Sequence, residues 1–138
     1  MEAVPRSRQG RKSIQLEFED LPIGEDALVI SVKGELCLAT VEELKEPAEA
    51  AISDRRVVIL DLSECPFIDS TGLRLTLQLH NGRTNGTGPG AALAIVANPR
   101  IRKFFSLTAI DRSVEVFATR GEALEALDAG GGNAFVRR

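Results

Sequence analysis

Between Val57 and Leu62 six residues run Val-Val-Ile-Leu-Asp-Leu, and after Pro66 the chain reads Asp69-Ser70-Thr71-Gly72-Leu73. A short run that is apolar at nearly every position suits a strand covered by helices on both faces, as in parallel sheets. This run is the best candidate for a central strand. The turn that follows places a hydroxyl where the strand gives way to a helix. The first four N–H groups of a helix lack intrahelical acceptors, so a Ser there can cap one of them, and a phosphoryl group there meets a favourable dipole. Ser70 therefore has two open readings, helix cap and phosphate acceptor.

The rest of the chain supplies the partners of that strand. Ile14 to Phe18 alternates apolar and polar residues, Ala27 to Val32 is apolar, and Leu21-Pro22-Ile23-Gly24-Glu25-Asp26 supplies turn residues between them, which predicts a hairpin. Thr40 with Glu43 resembles a capping box for a helix from Val41 to Ser53, with Val41, Leu44, Ala48 and Ile52 at helical spacing and Pro47 bending the axis. Leu73 to His80 alternates apolar and polar residues, which by period alone reads as a strand. Read as a helix it carries two stripes, Leu73 with Leu77 and, roughly 200° around the axis, Leu75 with Leu79. The second stripe is expected to meet a neighbouring element or a partner. Asn81 to Gly90 is rich in Gly, Asn and Thr and reads as a loop, and Ala91 to Ala97 as a strand.

Asn98 then caps a helix with Pro99 in its first position and Ile101, Phe104, Phe105 and Thr108 on one face. A last strand, Val114 to Phe117, precedes a second capping box, Thr119-Arg120-Gly121-Glu122, and a helix with Ala123, Leu124 and Leu127 on its apolar side, ended by Gly130-Gly131-Gly132. Strands alternating with helices imply parallel pairing through right-handed crossovers. The fold class is α/β: a single domain over 13–129, with a mixed, mostly parallel sheet of four to five strands and about four helices. A flexible basic tail over 1–12, with Arg6, Arg8, Arg11 and Lys12 against Glu2, and a flexible tail over 130–138 are expected to flank it.

Composition removes several function classes. The net charge is −3, and with no Trp, no Tyr and six Phe the chain lacks both the basic field and the aromatic platforms of a nucleic-acid binder. Cys37 and Cys65 lack Cys-x-x-Cys spacing and sit among apolar residues, as buried, reduced thiols do. No apolar run approaches a membrane span and the first twelve residues hold no signal-peptide core, so a cytoplasmic protein is expected. His80 is the single His and would lie about 15 Å up the helix axis from Ser70, too far to act as its base. Gly82, Gly86, Gly88 and Gly90 match no phosphate-cradling motif, and no acids pair with His or Cys at metal-ligand spacing. Neither an enzyme nor a bound cofactor is expected.

Three segments carry a family resemblance: Gly34-Glu35-Leu36, the strand and turn from Leu60-Asp61-Leu62 to Asp69-Ser70-Thr71-Gly72-Leu73, and Asn98-Pro99-Arg100-Ile101-Arg102-Lys103 running into Leu107-Thr108-Ala109-Ile110-Asp111. Over about Ile14 to Leu127 the chain resembles STAS domains of the bacterial anti-sigma-factor antagonist, or anti-anti-sigma factor, type. The resemblance implies a helix after the Asp-Ser-Thr-Gly-Leu turn. It also implies a phosphoprotein without catalysis of its own that regulates transcription by partner switching. Its partner would be an anti-sigma factor with serine kinase activity, which phosphorylates the residue matching Ser70, with a serine phosphatase as a further partner. Unphosphorylated, such a protein sequesters the anti-sigma factor and frees the sigma factor.

The implied partner surface is Asp69, Ser70, Thr71, Gly72, Arg74, Glu35 and Cys37, with no direct nucleic-acid contact, no membrane insertion and room for a weak homodimer. Cys37 departs from the family, which commonly has Asp there, an acid that can orient the hydroxyl or bind the partner. Ala109 stands where Gly is frequent and reads as a tolerated loop variant. Two alternatives stay open: a STAS subunit of an ATP-driven lipid-transport complex and a structural STAS module of a signalling assembly.

Overall fold

The computed structural model describes residues 16–55, 57–86 and 92–129. The expected tails at 1–12 and 130–138 lie outside the described residues, as does the stretch 87–91. Strands β1 (Leu16–Ile23) and β2 (Ala27–Gly34) form the expected hairpin, in a register running from Ile23 opposite Ala27 to Leu16 opposite Gly34. The turn is therefore only Gly24-Glu25-Asp26, shorter than the sequence predicts. Pro22 can sit inside β1 because β1 is an edge strand, and Gly24 takes the positive φ of 66° that the turn needs.

Strands β2, β3 (Val57–Glu64), β4 (Ala92–Ala97) and β5 (Glu115–Phe117) then follow in chain order and pair in parallel. With sequential order and one handedness, every crossover helix falls on the same side of the sheet. Helices α1 (Val41–Asp54), α2 (Ser70–Gly86) and α3 (Pro99–Leu107) accordingly share one core with Val58, Leu60 and Leu62 of β3. Alternate residues Val57 and Ile59 face the other way, against Ala123 and Leu127 of α4 (Arg120–Ala129). The whole run from Val57 to Leu62 is buried in the middle strand of five, as its composition predicts.

One member of that run is charged. Asp61 is 3 % exposed, on the α4 side of the sheet. Its carboxylate accepts the Ser63 N–H at 2.9 Å and the Nε–H of Arg120, whose Nη2 donates to Ser31 Oγ at 3.2 Å. The pair ties β3 to the first residue of α4 and to β2. A buried carboxylate without such a partner would be strongly unfavourable.

Four further expectations change. Asn81 to Gly86 is helical, the last turns of α2, because the packing of Leu73, Leu75 and Leu79 carries the helix beyond the point where local propensity favours a loop. Leu75 and Leu79 are both buried within the chain: α2 packs against α1 on one side and β4 on the other, so the second stripe needs no outside partner. Thr40 makes no side-chain cap to α1, since its hydroxyl donates to Glu35 O at 2.8 Å and accepts the Cys37 N–H at 3.1 Å. Asn98 and Thr119 do cap their helices, accepting from Ile101 N–H and Glu122 N–H at 3.0 Å each.

The fourth is Ala109, which adopts φ 63°, the left-handed region, between α3 and the short 3-10 turn at Ile110–Arg112. It is a strained position rather than a neutral variant, because a Cβ there costs about 1–2 kcal/mol. Ala109→Gly should relieve that strain against a smaller loss from the freer unfolded chain. The expected result in urea unfolding is a net gain of about 0.5–1 kcal/mol with an unchanged slope.

Candidate functional site

Because β2 and β3 run parallel, their carboxyl ends open on the same edge of the sheet, the edge where α/β proteins place their ligands. There the β2–α1 and β3–α2 loops are stitched together. Leu36 N–H donates to Phe67 O at 3.0 Å, Asp69 N–H donates to Leu36 O at 3.2 Å, and Leu36 and Ile68 form an isolated parallel bridge. The structure thus brings Glu35 and Cys37 from one loop beside Asp69 at the end of the other and Ser70, Thr71 and Gly72 in the first turn of α2.

The helix cap is Asp69, not Ser70. Oδ1 of Asp69 accepts the N–H groups of Thr71 at 2.9 Å and Gly72 at 3.1 Å together with the Thr71 hydroxyl, and Oδ2 accepts Leu38 N–H at 3.0 Å from the neighbouring loop. Ser70 is the first residue of α2 and exposed, and its hydroxyl has no hydrogen bond among the described residues. Both Asp and Ser are good caps, and a one-residue shift of the helix start decided between them. The consequence is that the Ser70 hydroxyl is free of a structural duty.

Gly72 shows how tightly the turn sits. A Cβ on Gly72 would lie 2.7 Å from both Leu36 O and Ile68 Cγ1, so only glycine lets the first turn of α2 approach the other loop. Arg74, exposed, lies four residues after Ser70 and so on the same side of the helix. Cys37 is only 7 % exposed, with its sulfur beside the Thr40 hydroxyl, so it packs under the loop. Cys65 is also a buried free thiol, and burial pushes its pKa up. No group of His, Cys, Asp and Glu side chains among the described residues could hold a metal ion.

Partial burial acts to raise the Asp69 carboxyl, but the donors from Thr71, Gly72 and Leu38 together outweigh it and hold the pKa below the ordinary aspartate value. A lowered folded value means stability that is complete above about pH 4 and is lost as the pH falls through the folded pKa. The amide resonances of Leu38, Thr71 and Gly72 should therefore titrate together with a midpoint below about 3.9. Asp69→Ala should lower stability by about 2 kcal/mol at neutral pH, the upper end for loss of a cap, because the Leu38 tether goes with it.

Two surface residues here were not singled out in the sequence. Leu38 is 72 % exposed and Phe67 42 % exposed, both in the stitched loops. The available signal was a pair of large apolar residues outside any strand or helix period, flanking a turn.

Comparison with known proteins agrees with this architecture. The family model for the STAS domain matches residues 20–123, and the chain belongs to the STAS domain family. Among solved structures, an anti-sigma factor antagonist from Mycobacterium paratuberculosis superposes with a TM-score of 0.74 at 24 % identity, covering 82 % of this chain and 94 % of that one. The anti-sigma factor antagonist SpoIIAA in its unphosphorylated form gives 0.64 at 23 % identity, covering 80 % and 96 %. SpoIIAA as the phosphorylated Bacillus cell fate determinant gives 0.60 at 22 % identity, covering 80 % and 99 %. At these identities the likeness is one of fold. No helix among the described residues is long and apolar enough to cross a membrane.

Proposed function

We propose that the chain is an anti-sigma factor antagonist whose binding to an anti-sigma factor with serine kinase activity is switched by phosphorylation of Ser70. The observation that carries this reading is the division of labour at the start of α2: Asp69 holds the helix end, leaving the adjacent hydroxyl exposed and unbonded. A structural serine at this junction would have been the cap. The exposed first residue of a helix also accepts a phosphoryl group without disturbing the fold, since the dipole favours the added charge. The relatives named as anti-sigma factor antagonists, one of them solved in a phosphorylated form, support the same reading.

In this reading the protein performs no chemistry of its own. It presents a substrate hydroxyl to the kinase's base and phosphoryl donor, with Glu35 and Arg74 beside the acceptor and Leu38 and Phe67 as apolar anchors. The added phosphate, about −1.5 to −2 charges next to the Asp69 carboxylate, then opposes a partner surface fitted to the unmodified, partly apolar patch. A phosphatase restores the first state.

The test is incubation of the protein with its anti-sigma factor and ATP, followed by mass spectrometry of the peptide spanning Cys65 to Arg74. A single phosphate on Ser70, absent from Ser70→Ala, is the expected result. Phosphate on Thr71 or elsewhere, or none with a kinase active on another substrate, would overturn the reading.

A further inference from the structure

Beside the stitched loops a groove of about 210 Å³ runs between Phe67 and one side of α3, lined by Phe67, Phe104 and Leu107 with Arg100 and Lys103 at its rim. We propose that this groove docks an apolar side chain belonging to an acidic segment of a protein partner. The inference rests on the reading above in one respect, that the surface around Ser70 meets another protein.

The groove is too small for a small-molecule pocket, which spans roughly 300–1,000 Å³, and suits one or two apolar side chains. Leu107 is 71 % exposed at its mouth, at the last residue of α3, where packing in the monomer gives it no role. The charges run against the helix. Arg100, Arg102 and Lys103 lie near its start, no acid occupies the first turn and no base the last, the reverse of what the dipole favours. Arg102 is occupied, its Nε–H donating to Ala97 O at 3.2 Å. Arg100 and Lys103 have no ion pair among the described residues. Cations placed where the fold disfavours them, around an apolar cleft, match an occupant that is apolar at its centre and acidic at its flanks.

The charge also argues against the chain's own ends as occupant, since Arg6, Arg8, Arg11 and Lys12 at one end and Arg137 and Arg138 at the other share the sign of the rim. A concave seat favours an inserted side chain over a flat lipid surface. Phe67 is in the loop that leads into Ser70 at the start of α2, so the groove extends the candidate partner surface without including the switch residue.

The test is selection of a random-peptide phage library on the full-length chain, with the recovered peptides synthesised and titrated by fluorescence polarisation. The expected peptides carry Phe, Leu or Met flanked by Asp or Glu. Leu107→Ala and Lys103→Glu should each weaken them about tenfold, whereas Lys45→Glu on α1, with the same change in net charge, should leave them unaffected. Unchanged circular dichroism of the variants guards against misfolding. Recovery of no such peptides, equal loss with Lys45→Glu, binding to phosphatidylglycerol vesicles in their place, or dimerisation abolished by Lys103→Glu would overturn the proposal. The titration needs neither kinase nor ATP, so its failure leaves the Ser70 reading standing, and an unphosphorylated Ser70 leaves the groove standing.

Discussion

Arg120→Met should lower the stability of the domain by about 3 kcal/mol. Asp61 lies in the middle of the sheet at 4 % side-chain exposure, and Arg120 is its ion-pair partner. Removing one partner of a buried pair typically costs 3–5 kcal/mol, and here the half-exposed position of Arg120 lets water reach part of the gap, which puts the value at the lower end. The sign is checked by a second variant. Asp61→Asn combined with Arg120→Met leaves no unpaired charge, so the double variant should unfold at higher urea than Arg120→Met alone. Additive losses would mean that the two side chains act independently and that the contact between β3 and α4 is held by Ala123 and Leu127 alone.

How far the sequence anticipates this structure depends on the range of the forces involved. The run from Val57 to Leu62 is legible because burial on both faces writes itself into consecutive residues, and Asn98-Pro99 because a cap and its first turn are local. The period of α2 was ambiguous for a physical reason: the helix is sandwiched between α1 and β4, so apolar residues surround more of it than one stripe. The pairing of Asp61 with Arg120 joins residues far apart in the chain, and nothing near either one announces it.

The site was legible to within one residue. The Asp-Ser-Thr-Gly turn marked the helix start, but whether Asp69 or Ser70 caps it depends on Leu36 and Leu38, which dock the neighbouring loop against the turn. The same docking took Thr40 out of its expected capping box and left Leu38 on the surface. Ala109 is the opposite case, a local strain set by the tight link from α3 to the 3-10 turn and visible only in its φ angle.

With Asp69 as the cap, Ser70→Ala should change stability by less than about 0.5 kcal/mol, whereas a structural cap would cost about 1. Phosphorylation should leave the melting temperature within the range of the unmodified protein, because the group points to solvent at a helix N-terminus. The same group adds about −1.5 to −2 charges next to the Asp69 carboxylate, where a partner fitted to the unmodified surface would have to desolvate it. The expected loss of affinity is more than about tenfold, most of it in the dissociation rate.

The most direct measurement is therefore a titration of one anti-sigma factor with three forms of this chain, unmodified, Ser70→Ala and stoichiometrically phosphorylated on Ser70, each with its thermal melt recorded. Equal tight binding by the first two, binding weakened more than about tenfold in the third, and three matching melts are expected. Equal affinity of the phosphorylated and unmodified forms, or a phosphorylated form that binds poorly because it melts early, would contradict the switch reading of Ser70.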